Sequence, residues 1–146
     1  MKRGGIDMDR RALMTGMTAM AMTAGATGGG QAQVTDETVY ELRIYHLNEG
    51  KLPLILERFR TRETKIFERL GMHPVGYWVP TDEPLTGRTL VYMLRHKSRA
   101  AADAAWARFR TDPEWVALKK ESEKDGEFVN KHDITFLKLT DFSPKV

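Results

Sequence analysis

Six residues, Tyr40-Glu41-Leu42-Arg43-Ile44-Tyr45, constrain this chain more than any other stretch. They alternate strictly, with Tyr40, Leu42 and Ile44 in one row and Glu41, Arg43 and Tyr45 in the other. Successive side chains of a strand point to opposite faces, so such alternation predicts a half-buried strand. The apolar row is expected to pack against helices. The other row then places an acid, a base and a phenol on the far face. If that face is open to water they are surface residues; if it closes over a cavity they line a site.

Elements alternate on either side of this strand. Asn48-Glu49-Gly50-Lys51 is turn chemistry, and Pro53 suits the first turn of a helix. Leu52, Ile55, Leu56, Phe59, Ile66, Phe67 and Leu70 then recur at helical spacing, with a polar break at Arg62-Glu63 and a stop at Gly71. Arg58, Arg62 and Arg69 sit off that stripe and read as a solvated face. His73 to Val79 and Thr89 to His96 form a hairpin across a Pro/Gly/Asp loop, with Pro74 marking an edge or entry position. Ser98 caps a helix that carries Ala102, Ala105, Trp106 and Phe109 on one face. Thr111 is expected to cap a second piece, with Pro113 in its first turn and Glu114 returning the capping bond. Trp115 and Leu118 anchor that piece, Asp125-Gly126 ends it, and Ile134 to Leu139 is the last strand.

The order βαββαβ predicts an α+β, ferredoxin-like sandwich: four antiparallel strands with helices on one face. The other face would then expose Tyr, Trp, Val and Met beside charges, which a small domain seldom does. Two sheets paired face to face in a homodimer would bury it and enclose a cavity.

Several segments together resemble the NIPSNAP domain. They are Tyr40 to Tyr45 with Gly50-Lys51-Leu52, Gly76-Tyr77-Trp78, Leu90-Val91-Tyr92, Ser98-Arg99, Asp112-Pro113-Glu114-Trp115 and Phe142-Ser143-Pro144. The resemblance spans essentially everything after the first 33 residues. It implies membership of the dimeric α/β-barrel superfamily, and so a paired sheet-to-sheet dimer. It implies no agreed catalytic residues. One departure stands out: where many members carry Pro-Leu-Asn in the central hairpin, this chain has Pro84-Leu85-Thr86-Gly87-Arg88.

The N-terminus reads differently. Arg10-Arg11 precedes an uncharged, weakly apolar run that lasts until Asp36. This resembles a twin-arginine signal, the type that exports folded proteins, and residues 1–33 are assigned to it. Cleavage after Ala26 or Ala32 fits, and Met8 is a second candidate start. The expected location is the periplasm or another exported one, with membrane contact only during export. Residues 34–146 are then the NIPSNAP-like domain. Removing residues 1–32 takes away Lys2, Arg3, Arg10 and Arg11 against Asp7 and Asp9, which lowers the formal net charge from +3 to +1. A nearly neutral domain has no electrostatic reason to seek nucleic acid. The chain has no cysteine, which excludes disulfides, thiol catalysis and zinc–thiolate sites.

His46, His73, His96 and His132 are far apart, so their spacing predicts no metal site. No cofactor is expected; haem on a single histidine is the weaker alternative that the superfamily suggests. There is no nucleophile elbow, P-loop or dinucleotide fingerprint. Trp78, Trp106 and Trp115 read as core more readily than as cofactor stackers. The candidates that remain for a ligand cavity are Glu41, Arg43, Tyr45, Trp78, Tyr92 and His96. Acids and histidines buried in an apolar pocket acquire proton affinities suited to acid–base work. The leading expectation is a small-molecule binder or cofactor-independent enzyme with its site inside a dimeric barrel. The alternative is a non-catalytic interaction module, and the residues leave catalysis itself open.

Overall fold

The structure, a computed structural model, describes residues 37–146. The expected signal, with Arg10 and Arg11, lies outside the described residues. Four strands form the sheet: β1 (Val39–Leu47), β2 (His73–Trp78), β3 (Thr89–His96) and β4 (Val129–Leu137). The helices are α1 (Leu52–Arg58), α2 (Thr64–Arg69), α3 (Arg99–Thr111) and α4 (Pro113–Ser122). A π-helical turn, Phe59–Glu63, joins α1 to α2. The strand order is β2-β3-β1-β4 and every pairing is antiparallel, which is the ferredoxin-like arrangement.

β1 and β3 are the central strands, and their register decides which rows share a face. Glu41 lies opposite Leu94, Arg43 opposite Tyr92 and Tyr45 opposite Leu90. Leu90, Tyr92 and Leu94 are fully buried in the core against the helices. Phe67 of α2 shows how dense that layer is: its ring meets those of Phe59, Tyr92, Trp106 and Phe109 at 5.0 to 6.1 Å. Full burial of one such side chain contributes roughly 1.5–3 kcal/mol.

The face assignment expected for β1 is therefore reversed. Glu41, Arg43 and Tyr45 point under the helices, while Leu42 and Ile44 lie half-buried on the open face with Val91 and Met93. The reason lies in β3. Both of its rows are apolar, but the bulkier one, with Leu90, Tyr92 and Leu94, goes to the helices. The polar row of β1 follows because it shares that face.

The turns follow local chemistry. Gly71, at φ +81°, ends α2 where other residues would be strained. Gly76 lies under the Trp78 ring, and a Cβ there would stand 2.6 Å from a ring carbon. The edge position expected for Pro74 holds, with a register shift between Pro74 and Gly76. Ser98 caps α3 as expected, accepting from the Ala101 N–H at 3.1 Å. The cap of α4 is a correction: Thr111 closes α3, and Asp112 accepts from the N–H groups of Glu114 and Trp115. An aspartate one residue closer to the helix outcompetes the threonine for the free N–H groups. Glu114 turns instead to Arg69. Among the described residues no helix is long and apolar enough to cross a membrane.

Candidate functional site

Polar groups form a seam through the interior between sheet and helices. At one end Glu41 is fully buried and accepts from three donors. These are Arg43 Nε at 2.7 Å, the indole N–H of Trp106 at 2.7 Å and His96 Nε2 at 2.8 Å. Trp106 reaches it from α3, whose small residues Ala102 and Ala105 let the helix approach the sheet. The Arg43 guanidinium also stacks on the Trp106 ring, 3.6 Å from its centroid. Burial pushes the Glu41 carboxyl up, but the bonds from His96, the Arg43 charge and the Trp106 N–H outweigh it, and its pKa ends below the ordinary value. With Nε2 committed to Glu41, the buried Nδ1 of His96 has no hydrogen-bond partner among the described residues.

In the middle, the Tyr92 hydroxyl donates to that of Tyr45 at 2.7 Å, and the rings meet edge to face. Burial raises both phenols, so both stay protonated at neutral pH.

The π turn makes the other end. Its bonds run to the fifth residue, as in the Thr64 N–H to the Phe59 carbonyl, so side chains five apart stack. Arg58 and Glu63 are such a pair. Arg58 Nε donates to Glu63 at 2.8 Å, and Nη1 donates to Glu123 at 2.8 Å and to Ser122 at 3.2 Å. Glu63 is buried and, among the described residues, has Arg58 as its one charged partner within bonding distance. Burial pushes its carboxyl up to about 7; Arg58 pulls against this, and the nearby Glu123 charge adds to it. Glu63 is thus balanced between its two protonation states at neutral pH. It opens, with Tyr45, onto a pocket of about 200 Å³ walled by Phe109, Trp115 and Val129. Exposed Lys119, Glu127 and His132 stand at the mouth.

The structure places five of the six candidate residues, Glu41, Arg43, Tyr45, Tyr92 and His96, on the helix-covered face and not on the open face where a cavity between paired sheets was expected. Trp78 does not join them. It lies on the open face, half exposed, while Tyr77 points inward and bonds Thr64 at 2.9 Å. The reading of Arg58 as solvated is corrected: it is 6% exposed and held by two carboxylates. Arg69 is bound to Asp112 by two hydrogen bonds. Arg58, Glu63 and Trp106 are the site residues that sequence reasoning missed. The signal for Glu63 was spacing: it falls four residues after Phe59 and three before Ile66, on the apolar stripe itself.

Among the described residues no cluster of three or more His, Asp or Glu side chains is placed to hold a metal ion. Among curated proteins none matches the chain. Solved structures do. A NIPSNAP-like domain protein from Burkholderia xenovorans superposes with a TM-score of 0.64 at 18% identity, over 75% of this chain and 91% of that one. A NIPSNAP family protein from Agrobacterium tumefaciens gives 0.63 at 23% identity, over 73% and 97%. Another from that organism, of unknown function, gives 0.64 at 21%, over 76% and 96%. The family model for NIPSNAP matches residues 40–144, most of the chain and every element described above. The chain belongs to the NIPSNAP family.

Proposed function

We propose that this protein binds a small molecule in the pocket between Tyr45 and Glu63, and that Glu63 exchanges a proton with it. The observation that carries the reading is a buried carboxyl with a proton affinity near neutrality, opening onto a pocket where a domain core is ordinarily apolar. A cavity of about 150 Å³ holds benzene, so this one suits a molecule with a single ring. The Tyr45 hydroxyl can hydrogen-bond a substrate oxygen while Glu63 takes a proton from an activated C–H or O–H. That step opens isomerisation and, with dioxygen as the oxidising co-substrate, oxygenation; the protein's own groups supply only the proton transfer.

The test is a ligand-observed NMR screen of single-ring phenols and cyclic ketones in deuterated buffer. A ligand that binds should exchange an acidic carbon-bound proton faster than it does free in the buffer, with a rate that rises through pH about 7 as Glu63 ionises. Glu63→Gln should abolish exchange and Tyr45→Phe should weaken binding. No bound ring compound, or exchange that survives Glu63→Gln, overturns the reading.

A second observation concerns a partner. The open face carries Leu42, Ile44, Val91, Met93 and the half-exposed Trp78, and we propose that a second copy covers it sheet to sheet. A chain that stays monomeric at high micromolar concentration in light scattering refutes this. Export rests on Arg10 and Arg11: changing both to Lys should stop residues 1–35 from carrying a folded reporter to the periplasm, and unimpaired export refutes it.

A further inference from the structure

We propose that a second ligand site lies between α3 and the edge strand β4, and that it takes a small planar aromatic carboxylate. The helices leave β4 incompletely covered. Ile134 stands on the helix side of the sheet, in register with Arg43, yet is 40% exposed. What stands beside it is a cleft of about 700 Å³. Arg99, Asp103, Trp106 and Arg110 line it from α3, at spacings of four, three and four residues, which puts them on one helical face. Arg43 and Phe136 line it from the sheet.

Two features define what fits. First, both sheet-side and helix-side arginines sit over rings: Arg43 over Trp106 at 3.6 Å and Arg99 over Phe136 at 3.8 Å. Each commits its Nε to a carboxylate, Arg43 to Glu41 at 2.7 Å and Arg99 to Asp103 at 3.1 Å. A guanidinium has five donors in one plane, so the exposed Arg99 keeps its terminal N–H groups beyond the Asp103 bond, while those of the mostly buried Arg43 also face Tyr45. That fork matches the two oxygens of a carboxylate. Second, Arg110 makes no ion pair among the described residues, which leaves three arginines facing Glu41 and Asp103. The lining is one positive charge in excess, and a monoanion balances it. The exposed parts of Ile134 and Phe136 give a flat apolar body something to lie on.

The probe is 2-naphthoate, titrated into the full chain and followed by the side-chain N–H signal of Trp106, with 2-naphthamide as its neutral counterpart. Naphthoate should bind saturably and move that signal, and the amide should bind at least about tenfold more weakly, since it forfeits a charge-assisted pair. Arg99→Gln and Arg110→Gln should each weaken naphthoate by about tenfold. Both side chains are exposed, and an unchanged melting temperature confirms that the fold is kept. Tyr45→Phe and Glu63→Gln touch the other pocket and should leave naphthoate affinity unchanged, so this site and the interior pocket fail or stand separately. Absence of saturable binding at millimolar naphthoate overturns the proposal. So does equal affinity for the amide, or wild-type affinity in both arginine variants. Inorganic phosphate that displaces naphthoate as well as benzoate does would make this a plain anion site, and overturns the aromatic acid.

Discussion

Glu41 and Glu63 are the same residue in nearly the same setting, yet they behave in opposite ways. Both are buried beneath the sheet, and each accepts from an arginine Nε, at 2.7 and 2.8 Å. Glu41 is held below the ordinary carboxyl pKa and Glu63 is pushed up to about 7. The difference lies in the neighbours. Glu41 has His96 and Trp106 as further donors, and among the described residues Arg43 forms an ion pair with no second acid. Glu63 shares Arg58 with Glu123, so it has half an arginine and a like charge nearby. Desolvation is large for any buried carboxylate, and the count of donors decides whether it is overcome. One acid is a structural anchor and the other is poised to titrate.

The largest test removes the anchor. Glu41→Ala leaves the Arg43 charge buried without its carboxylate, and strips the Trp106 N–H and His96 of their acceptor. Breaking a buried pair from one side costs about 3–5 kcal/mol, which denaturant melts at pH 7 should report. A loss below about 1 kcal/mol would mean that water reaches Arg43, and the contrast between the two acids would collapse.

Next comes pH. Unfolded, Glu63 ionises near 4.5; folded, near 7. Between those values the native chain holds a proton that the unfolded chain has lost, so stability falls as pH rises. The contribution is whole below 4.5 and gone above about 7. It amounts to about 3 kcal/mol at one pKa unit per 1.36 kcal/mol. Glu41 has the opposite sign: its lowered pKa adds stability that is present above its unfolded value and lost on acidification. Melts from pH 5 to 8 should therefore show a decline in the wild type that Glu63→Gln removes. Arg58 keeps Glu123 in that variant, so its charge is not orphaned. A decline that persists in Glu63→Gln would assign it to another group.

The same contrast explains what was legible in the sequence. Strand alternation, the βαββαβ order and the Ser98 cap are local, and local patterns set them. The face of β1 is not local. Its own alternation favours the apolar row for the helices, and the choice was made instead by Leu90, Tyr92 and Leu94, which lie about fifty residues away. Glu41 was recognised as a candidate because it shares a polar row with Arg43 and Tyr45. The donors that tame it, His96 and Trp106, arrive through register and helix docking, and Trp106 read simply as core. Glu63 was hidden for a different reason. A polar break in a helical stripe looks like solvent exposure, and the π turn that stacks Arg58 on Glu63 has no composition signature. Arg58 was misread for the same cause: an arginine beside an apolar stripe is usually solvated, and here a second acid from α4 came to meet it.

The smallest effect joins the two acids. Arg43 bonds Glu41, and its charge also reaches Glu63, where it is the weakest of the influences that lower the carboxyl. Glu41→Gln keeps the shape and an acceptor oxygen but removes the charge that Arg43 answers. The freed field of Arg43 should then favour ionised Glu63, so its titration should move down from about 7. Carbon-detected NMR of the Glu63 carboxyl gives the midpoint directly. Glu123→Gln should move it down further, because it removes a nearby like charge and returns the whole of Arg58 to Glu63. If Glu41→Gln leaves the midpoint in place, the anchor and the titrating acid are independent, and only burial and Arg58 set the proton affinity of the pocket. If it moves the midpoint up, Arg43 does not act on Glu63 through its charge, and the polar seam is two sites that happen to share a strand.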